Sequence, residues 1–314
     1  MFIIEKSVRP KIIAIDFDET ICDNGFPRIQ TATLKASADF HINKLYDEGY
    51  YIIIWTCRYL PNHIQDCKNF LNEHNIKYHK INENYPGLEF KPTPKIYYDI
   101  LIDDKCFMNI DWKWIYRYIK VKFTESKLFT ITEAMKEQFF YRTKNHIELA
   151  GRFLNKYYNK KGCRPRCIRQ AHDILKFEEE ELAAYIAITW NYYCKDNYID
   201  FPEFESLKSY TNKATNHHVK NSEHHPEYWS SDRRDNFIPT NDRDKFDPNA
   251  IPTINCESMP IHNIDEMCAD WCAMSLERGN TPFEWADSVI NSRWSFGEER
   301  TTYIYKVLNL MWDK

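Results

Sequence analysis

Three apolar runs do most to limit what this chain can fold into: Lys11-Ile12-Ile13-Ala14-Ile15-Asp16, Tyr50 to Trp55, and Ile96 to Ile102. The first two are apolar at consecutive positions rather than at every second one, the pattern of strands buried on both faces of a parallel sheet, and the third ends in Ile100-Leu101-Ile102. Tyr78 to Ile81 reads as a further short strand. Between them, Leu34, Ala38, Ile42 and Leu45 recur at helical spacing and stop at Gly49. Leu60, Ile64, Cys67, Phe70 and Leu71 do the same. Strand and helix in alternation predict a doubly wound α/β domain over residues 1–124, with right-handed crossovers.

From about residue 125 the period changes. Residues 131–160, 164–194 and 281–313 read as long, aromatic-rich helices with no convincing strand, and no internal repeat is visible. A polar stretch rich in Pro and Asp, 221–255, interrupts them. Stretches of that length are functional loops or disordered. The expected architecture is therefore an α/β domain followed by an all-α domain over 125–314.

Composition excludes several functions. The seven glycines are Gly25, Gly49, Gly87, Gly151, Gly162, Gly279 and Gly297, and the nearest two stand 11 apart. Neither a P-loop nor a GxGxxG fingerprint fits that spacing, so phosphate chemistry here falls to carboxylates, metals and hydroxyls. A net charge of −4 leaves no electrostatic footprint for nucleic acid, although a local basic groove stays open. No apolar run approaches a membrane span, and Phe2-Ile3-Ile4 is too short for a signal peptide. The 10 cysteines form no CxxC pair; Cys163/Cys167 and Cys268/Cys272 have the spacing of helix-face thiols. A reducing cytoplasm is the expected setting.

The first chemical constellation lies where the strands end. Asp16 and Asp18 stand two residues apart, so in extended backbone both point out of the carboxyl edge of the sheet. Ligands of open α/β sheets bind at that edge. A carboxylate there can attack phosphorus while its neighbour moves protons, and clustered acids call for a hard cation such as Mg²⁺. The second strand ends in Thr56-Cys57-Arg58, the fourth in Asp103-Asp104, and Lys95 stands just ahead of the latter.

These residues resemble the haloacid dehalogenase-like (HAD) phosphohydrolases, whose motifs are DxDxT after a hydrophobic strand, a Thr or Ser, a Lys and an acidic pair. The run Ile15 to Ile29, the strand Ile52 to Arg58 and Ile81-Asn82-Glu83-Asn84-Tyr85-Pro86 are similar to a small capless group of phage and bacterial HAD proteins. The resemblance covers about 10–115. It implies Asp16 as nucleophile, Asp18 as general acid/base, Thr56 bonded to the transferring phosphoryl group, and Lys95 (with Lys91 as competitor) offsetting its charge. It further implies Mg²⁺ held among Asp16, Asp18, Asp103 and Asp104, with Arg58 touching substrate phosphate. Glu19 stands where many relatives have Gly.

Seven of the 11 histidines fall between His146 and His262. His146, the pair His172-Asp173, His218, the pair His224-His225 and Asp270 are the candidate ligands, while His217 and His262 read as surface or loop residues. Imidazoles and carboxylates drawn from separate helices suit a divalent transition metal such as Mn²⁺, Fe²⁺, Co²⁺ or Zn²⁺, which generates hydroxide near neutral pH. The order H…HD…HH…D resembles the HD-domain metal phosphohydrolases. More closely, His172-Asp173-x-x-Lys176-Phe177, His224-His225-Pro-Glu-Tyr-Trp229 and Glu266-Met-x-x-Asp270-Trp271 are similar to an uncharacterised helical family with HD-like features. The extra histidines between the HD pair and the last Asp depart from that pattern and suggest a dinuclear site or a lid.

The expectation is a two-domain metal-dependent phosphohydrolase acting on a phosphorylated small molecule of nucleotide type. Two other readings stay open: a helical half that only binds substrate or a partner, and end-healing of polynucleotides.

Overall fold

The computed structural model describes residues 9–23, 26, 29–89, 95–106, 110–162, 172–230 and 254–312. The chain divides into two compact units, Met1–Ile119 and Lys120–Lys314.

Four strands make the sheet of the first unit: β1 (Ile12–Asp16), β4 (Tyr51–Trp55), β5 (Lys80–Ile81) and β6 (Ile100–Ile102). They pair in the order β5-β4-β1-β6, all parallel. Ile12 to Ile15 and Ile52 to Ile54 are buried, as consecutive apolar residues in central strands must be. A short antiparallel arm follows β1, made by β2 (Cys22–Asp23) and β3 (Thr33–Leu34). Helices α1 (Ala38–Asp47) and α2 (Pro61–Glu73) bury Ala38, Ile42 and Leu45, and Cys67, Phe70 and Leu71. Gly49 lies at φ +89°, a conformation that stops α1 and suits glycine. Helix α3 (Trp112–Phe123) runs across the division between the units.

Register fixes the acid site. Asp16 pairs with Trp55, and Ile15 with Ile102, so Thr56 and Asp103 leave their strands at the level of Asp16.

The second unit holds α4 (Glu133–Lys160), α5 (Leu182–Asp196), α6 (Glu203–Asn221), α7 (Ile261–Arg278), α8 (Pro282–Val289) and α9 (Gly297–Trp312). Thr132 caps α4 by accepting from the Met135 amide. The core gathers Leu154 and Tyr157 from α4, Met267, Cys268, Trp271 and Cys272 from α7, and Ile304, Val307, Leu308 and Met311 from α9. Among the described residues no helix is long and apolar enough to cross a membrane. The described cysteines form no disulfide, and Cys163 and Cys167 lie outside the described residues.

Three expectations for this unit need correction. Residues 164–194 are not one helix: of the described part, His172 and Asp173 sit in a turn, Ile174–Phe177 is a 3₁₀ segment, and α5 begins only at Leu182. The stretch 281–313 breaks between α8 and α9, where Asn291 takes φ 62° and Gly297 φ 72°. Strands are present too: β7 (Ile254–Asn255) pairs in parallel with β8 (Trp294–Ser295). Of the expected polar stretch 221–255, Pro226–Trp229 forms a 3₁₀ turn, and 231–253 lies outside the described residues.

Candidate functional site

At the carboxyl edge of the sheet, one threonine ties two strand ends together. Thr20 Oγ1 donates to Asp16 Oδ2 (3.1 Å) and accepts from the Asp104 amide (3.0 Å). The indole of buried Trp112 donates to the Thr20 carbonyl (3.1 Å). Asn82 closes the neighbouring loop, accepting from the Thr56 amide (2.9 Å) and donating to the Thr56 carbonyl (2.8 Å). Glu19, between Asp18 and Thr20, lies at φ 61°, the left-handed region that glycine fills without strain.

Charge at this edge is unevenly distributed. Arg58, wholly buried, forks onto Asp18 through Nε (3.1 Å) and Nη2 (2.8 Å), beneath the rings of Phe17 and Phe26. Lys105 pairs with Asp104. Asp16 is pushed up to about 7, first by burial and then by Asp103. Arg58, expected to meet substrate, thus holds Asp18, and both Asp18 oxygens face it. Thr56 is buried, its hydroxyl oxygen accepting from the Arg58 amide (3.2 Å). Lys95 is exposed on the chain entering β6, its carbonyl bonded by Asn84 (3.1 Å). Lys91 lies outside the described residues.

The helical unit brings together all seven of its predicted ligands. His146 comes from α4, His172 and Asp173 from the turn before α5, His218 from α6, His224 and His225 from the loop after it, and Asp270 from α7. His146 Nε2 lies 2.8 Å from Asp270 Oδ1 and 3.3 Å from His172 Nε2, and His172 Nε2 lies 3.4 Å from the same Asp270 oxygen. Asp173 turns Oδ2 toward His146 (3.7 Å) and Oδ1 toward His218 (3.1 Å) and His224 (3.8 Å). Three overlapping sets could hold a metal ion: His146, His172 and Asp270; Asp173, His218, His224 and His225; and His172, His224 and Glu266. Within each set the ligand atoms lie within 4.8 Å of one another.

A second ring of acids orients the imidazoles. Nδ1 of His146 meets Glu277 (3.0 Å), Nδ1 of His172 meets Glu266 (3.2 Å), and Nδ1 of His218 meets Glu181 (2.8 Å). Each ring therefore turns Nε2 inward, the arrangement that fixes metal-ligating histidines. His218 Nε2 is buried and makes no aligned hydrogen bond. A divalent metal fits this donor set of imidazoles and carboxylates.

Protons settle accordingly. Burial lowers His172, but Asp173, Asp270 and Glu266 outweigh it and raise the ring to about 10. His146 and His218 also end above the ordinary histidine value despite burial. Burial would raise Asp173 and Asp270, yet Lys176, His172 and His218 hold the first, and His146 and His172 the second, well below the carboxylate range. His224 goes well down and His225 down to about 3, through burial and neighbouring rings, so both keep a free lone pair. Asp173 sits at φ 57°, a strained conformation that aims its carboxylate between the sets.

A model of a family of unknown function, DUF5662, matches residues 135–310. The chain belongs to that family. The DUF5662 match contains every member of the histidine cluster and none of the acids of the sheet edge. No curated protein matches the chain. A solved structure, described as that of a conserved protein from Bacteroides thetaiotaomicron, is 27% identical with a TM-score of 0.32, covering 37% of this chain and 94% of that one.

Sequence reading assigned no role to the supporting acids, although Glu266 stands in one motif with Asp270. Glu266 and Glu277 were recoverable: they stand one turn before and two turns after Asp270 on the stripe of α7 that faces the cluster. Glu181 had no such signal, being the last of four consecutive glutamates. His217, expected at the surface, is partly exposed yet pairs with Glu181 at 2.7 Å, and His262 is exposed.

Proposed function

We propose that the chain is a metal-dependent phosphohydrolase with two centres: a HAD-like phosphomonoesterase at the sheet edge and an HD-like hydrolytic centre in the helical unit. The observation that carries the reading is the inward set of three Nε2 atoms, each backed by a carboxylate on Nδ1, around Asp173 and Asp270. A carboxylate on the outer nitrogen of each ring is the support that metal-ligating histidines usually have.

At the sheet edge, Asp16 is the nucleophile. Its carboxylate bonds to phosphorus as the ester P–O bond breaks, and Asp18 hands a proton to the leaving oxygen. Water then attacks the aspartyl-phosphate, Asp18 takes its proton, and phosphate leaves with Asp16 restored. Thr20 orients Asp16 throughout, and the Arg58 fork must loosen for Asp18 to serve. Asp16, Asp18, Asp103 and Asp104 would hold Mg²⁺, which offsets phosphoryl charge when bound. Crowding of Asp16 by Asp103 supports that fit.

In the helical unit, His146, His172, Asp173, His218, His224, His225 and Asp270 would hold one or two transition-metal ions, which supply Lewis acidity toward a phosphate ester. The substrate class is a small phosphomonoester of nucleotide type. Phosphate release across a nucleotide panel with Mg²⁺, comparing wild type with Asp16→Asn, tests the acid site; equal rates would overturn the nucleophile. Elemental analysis after loading with Mn²⁺ or Zn²⁺ tests the other centre, and a metal-free product would overturn it.

A further inference from the structure

A cavity of about 200 Å³ opens beside the histidine cluster. It shares His224, His225 and Asp270 with the cluster. Its remaining wall continues along α7 through Trp271, Met274, Ser275 and Arg278. These positions follow Asp270 at one, four, five and eight residues, so a single helix face leads from the ligand carboxylate into the cavity. Trp285 and Trp294 close the far side.

The tryptophans give the cavity its chemistry. Trp271 and Trp294 are buried and nearly parallel, with centroids 5.9 Å apart and planes 16° apart. Trp285 meets Trp294 edge-on at 70°, and Arg293 packs over both rings at 5.5 and 5.6 Å. The cavity thus sets indole walls beside polar groups from Glu227, Ser275 and Asn280 as well as from the cluster, and aromatic walls can both bury and stack a guest. An aliphatic group gains only burial from such walls, while a flat ring gains stacking as well. The volume exceeds the roughly 150 Å³ that admits a benzene ring. Exposed Arg278, at the end of α7, adds positive charge for an anionic substituent.

We propose that this cavity is the subsite for a flat aromatic ring carried by the substrate, so that the helical centre selects aryl over alkyl phosphate monoesters. The inference rests on the metal reading of the neighbouring cluster and names the substrate class of that same site. Trp285 is the specificity-determining residue, and Trp271 and Trp294 form the fixed wall.

The test uses the full chain carrying Asp16→Asn, loaded with Mn²⁺, and calorimetric binding of phenyl phosphate and methyl phosphate. Phenyl phosphate is expected to bind about tenfold more tightly. Trp285→Ala should bring the two ligands to the same affinity with Mn²⁺ content unchanged, and Trp285→Phe should keep most of the preference. Equal binding by the parent, or a preference that survives Trp285→Ala, overturns the ring subsite. Failure of the parent chain to take up Mn²⁺ instead overturns the metal reading beneath it.

Discussion

Asp16 at the sheet edge is pushed up to about 7, whereas Asp173 and Asp270, more deeply buried, lie well below the ordinary carboxylate range. Burial acts in the same direction on all three, so the difference belongs to their neighbours. Asp16 faces Asp103, while Arg58 and Lys105 are committed to Asp18 and Asp104. Asp173 and Asp270 face His146, His172, His218 and Lys176. The sheet edge therefore has room for an external cation, and the helical cluster already carries protons that a metal must displace.

The sharpest way to break this comparison is Asp16→Asn. Phosphate release at the sheet edge should fall at least about a thousandfold, as when a nucleophile is removed, with metal content in the helical unit unchanged. Retained phosphate release with Mg²⁺ in protein freed of transition metals would end the assignment. Next in size, Glu181→Gln or Glu266→Gln should weaken metal binding by about 10- to 100-fold while the sheet edge keeps its rate. Competition against a chromogenic chelator reads this directly, and an unaltered affinity would remove the orienting role of those acids.

A third effect concerns pH. Asp16 binds a proton in the folded chain up to about pH 7, but in the unfolded chain only up to about 3.8. Its contribution to stability is full below the lower value and is lost as pH rises through the higher one. Without Mg²⁺, wild type should lose melting temperature relative to Asp16→Asn between about pH 4 and 7, and Mg²⁺ should close the gap. Parallel melting curves for the two proteins over that range would count against the shift. The smallest expected effect is at Glu19. Left-handed backbone costs a side-chain-bearing residue about 1–2 kcal/mol, partly offset by the chain entropy of glycine. Glu19→Gly should thus raise the melting temperature by about 1–2 °C. Asp173, equally strained, should lose metal on the same substitution, because its carboxylate stands among the candidate ligands.

The two regions were also unequally legible from sequence. The sheet could be read because Ile12 to Ile15 and Ile52 to Ile54 are buried on both sides, which leaves a continuous apolar run. Helix α6 could not, because its buried face is Leu207, Thr211, Ala214, His218 and Val219, most of it polar or small. Helix α7 buries residues on nearly every side, including Asn263, Asp265 and Ser275, so no amphipathic stripe marks it. The seven candidate ligands were found by residue type and order, but not the turn that carries His172 and Asp173. A residue at φ 57° other than Gly leaves no trace in apolar spacing. Of the orienting acids, Glu181 was hidden because exposed and buried glutamates look alike in a sequence.

The cluster has a mechanical consequence apart from catalysis. Its members come from α4, the 172–173 turn, α6 with its following loop, and α7, so partners as distant as His146 and Glu277 meet across 131 positions of chain. A bound ion would act there as a clasp, closing several long loops at one point and adding its binding energy to the fold. Chelation should then loosen the helical unit as a whole, and metal supply would govern whether it is built as well as whether it works.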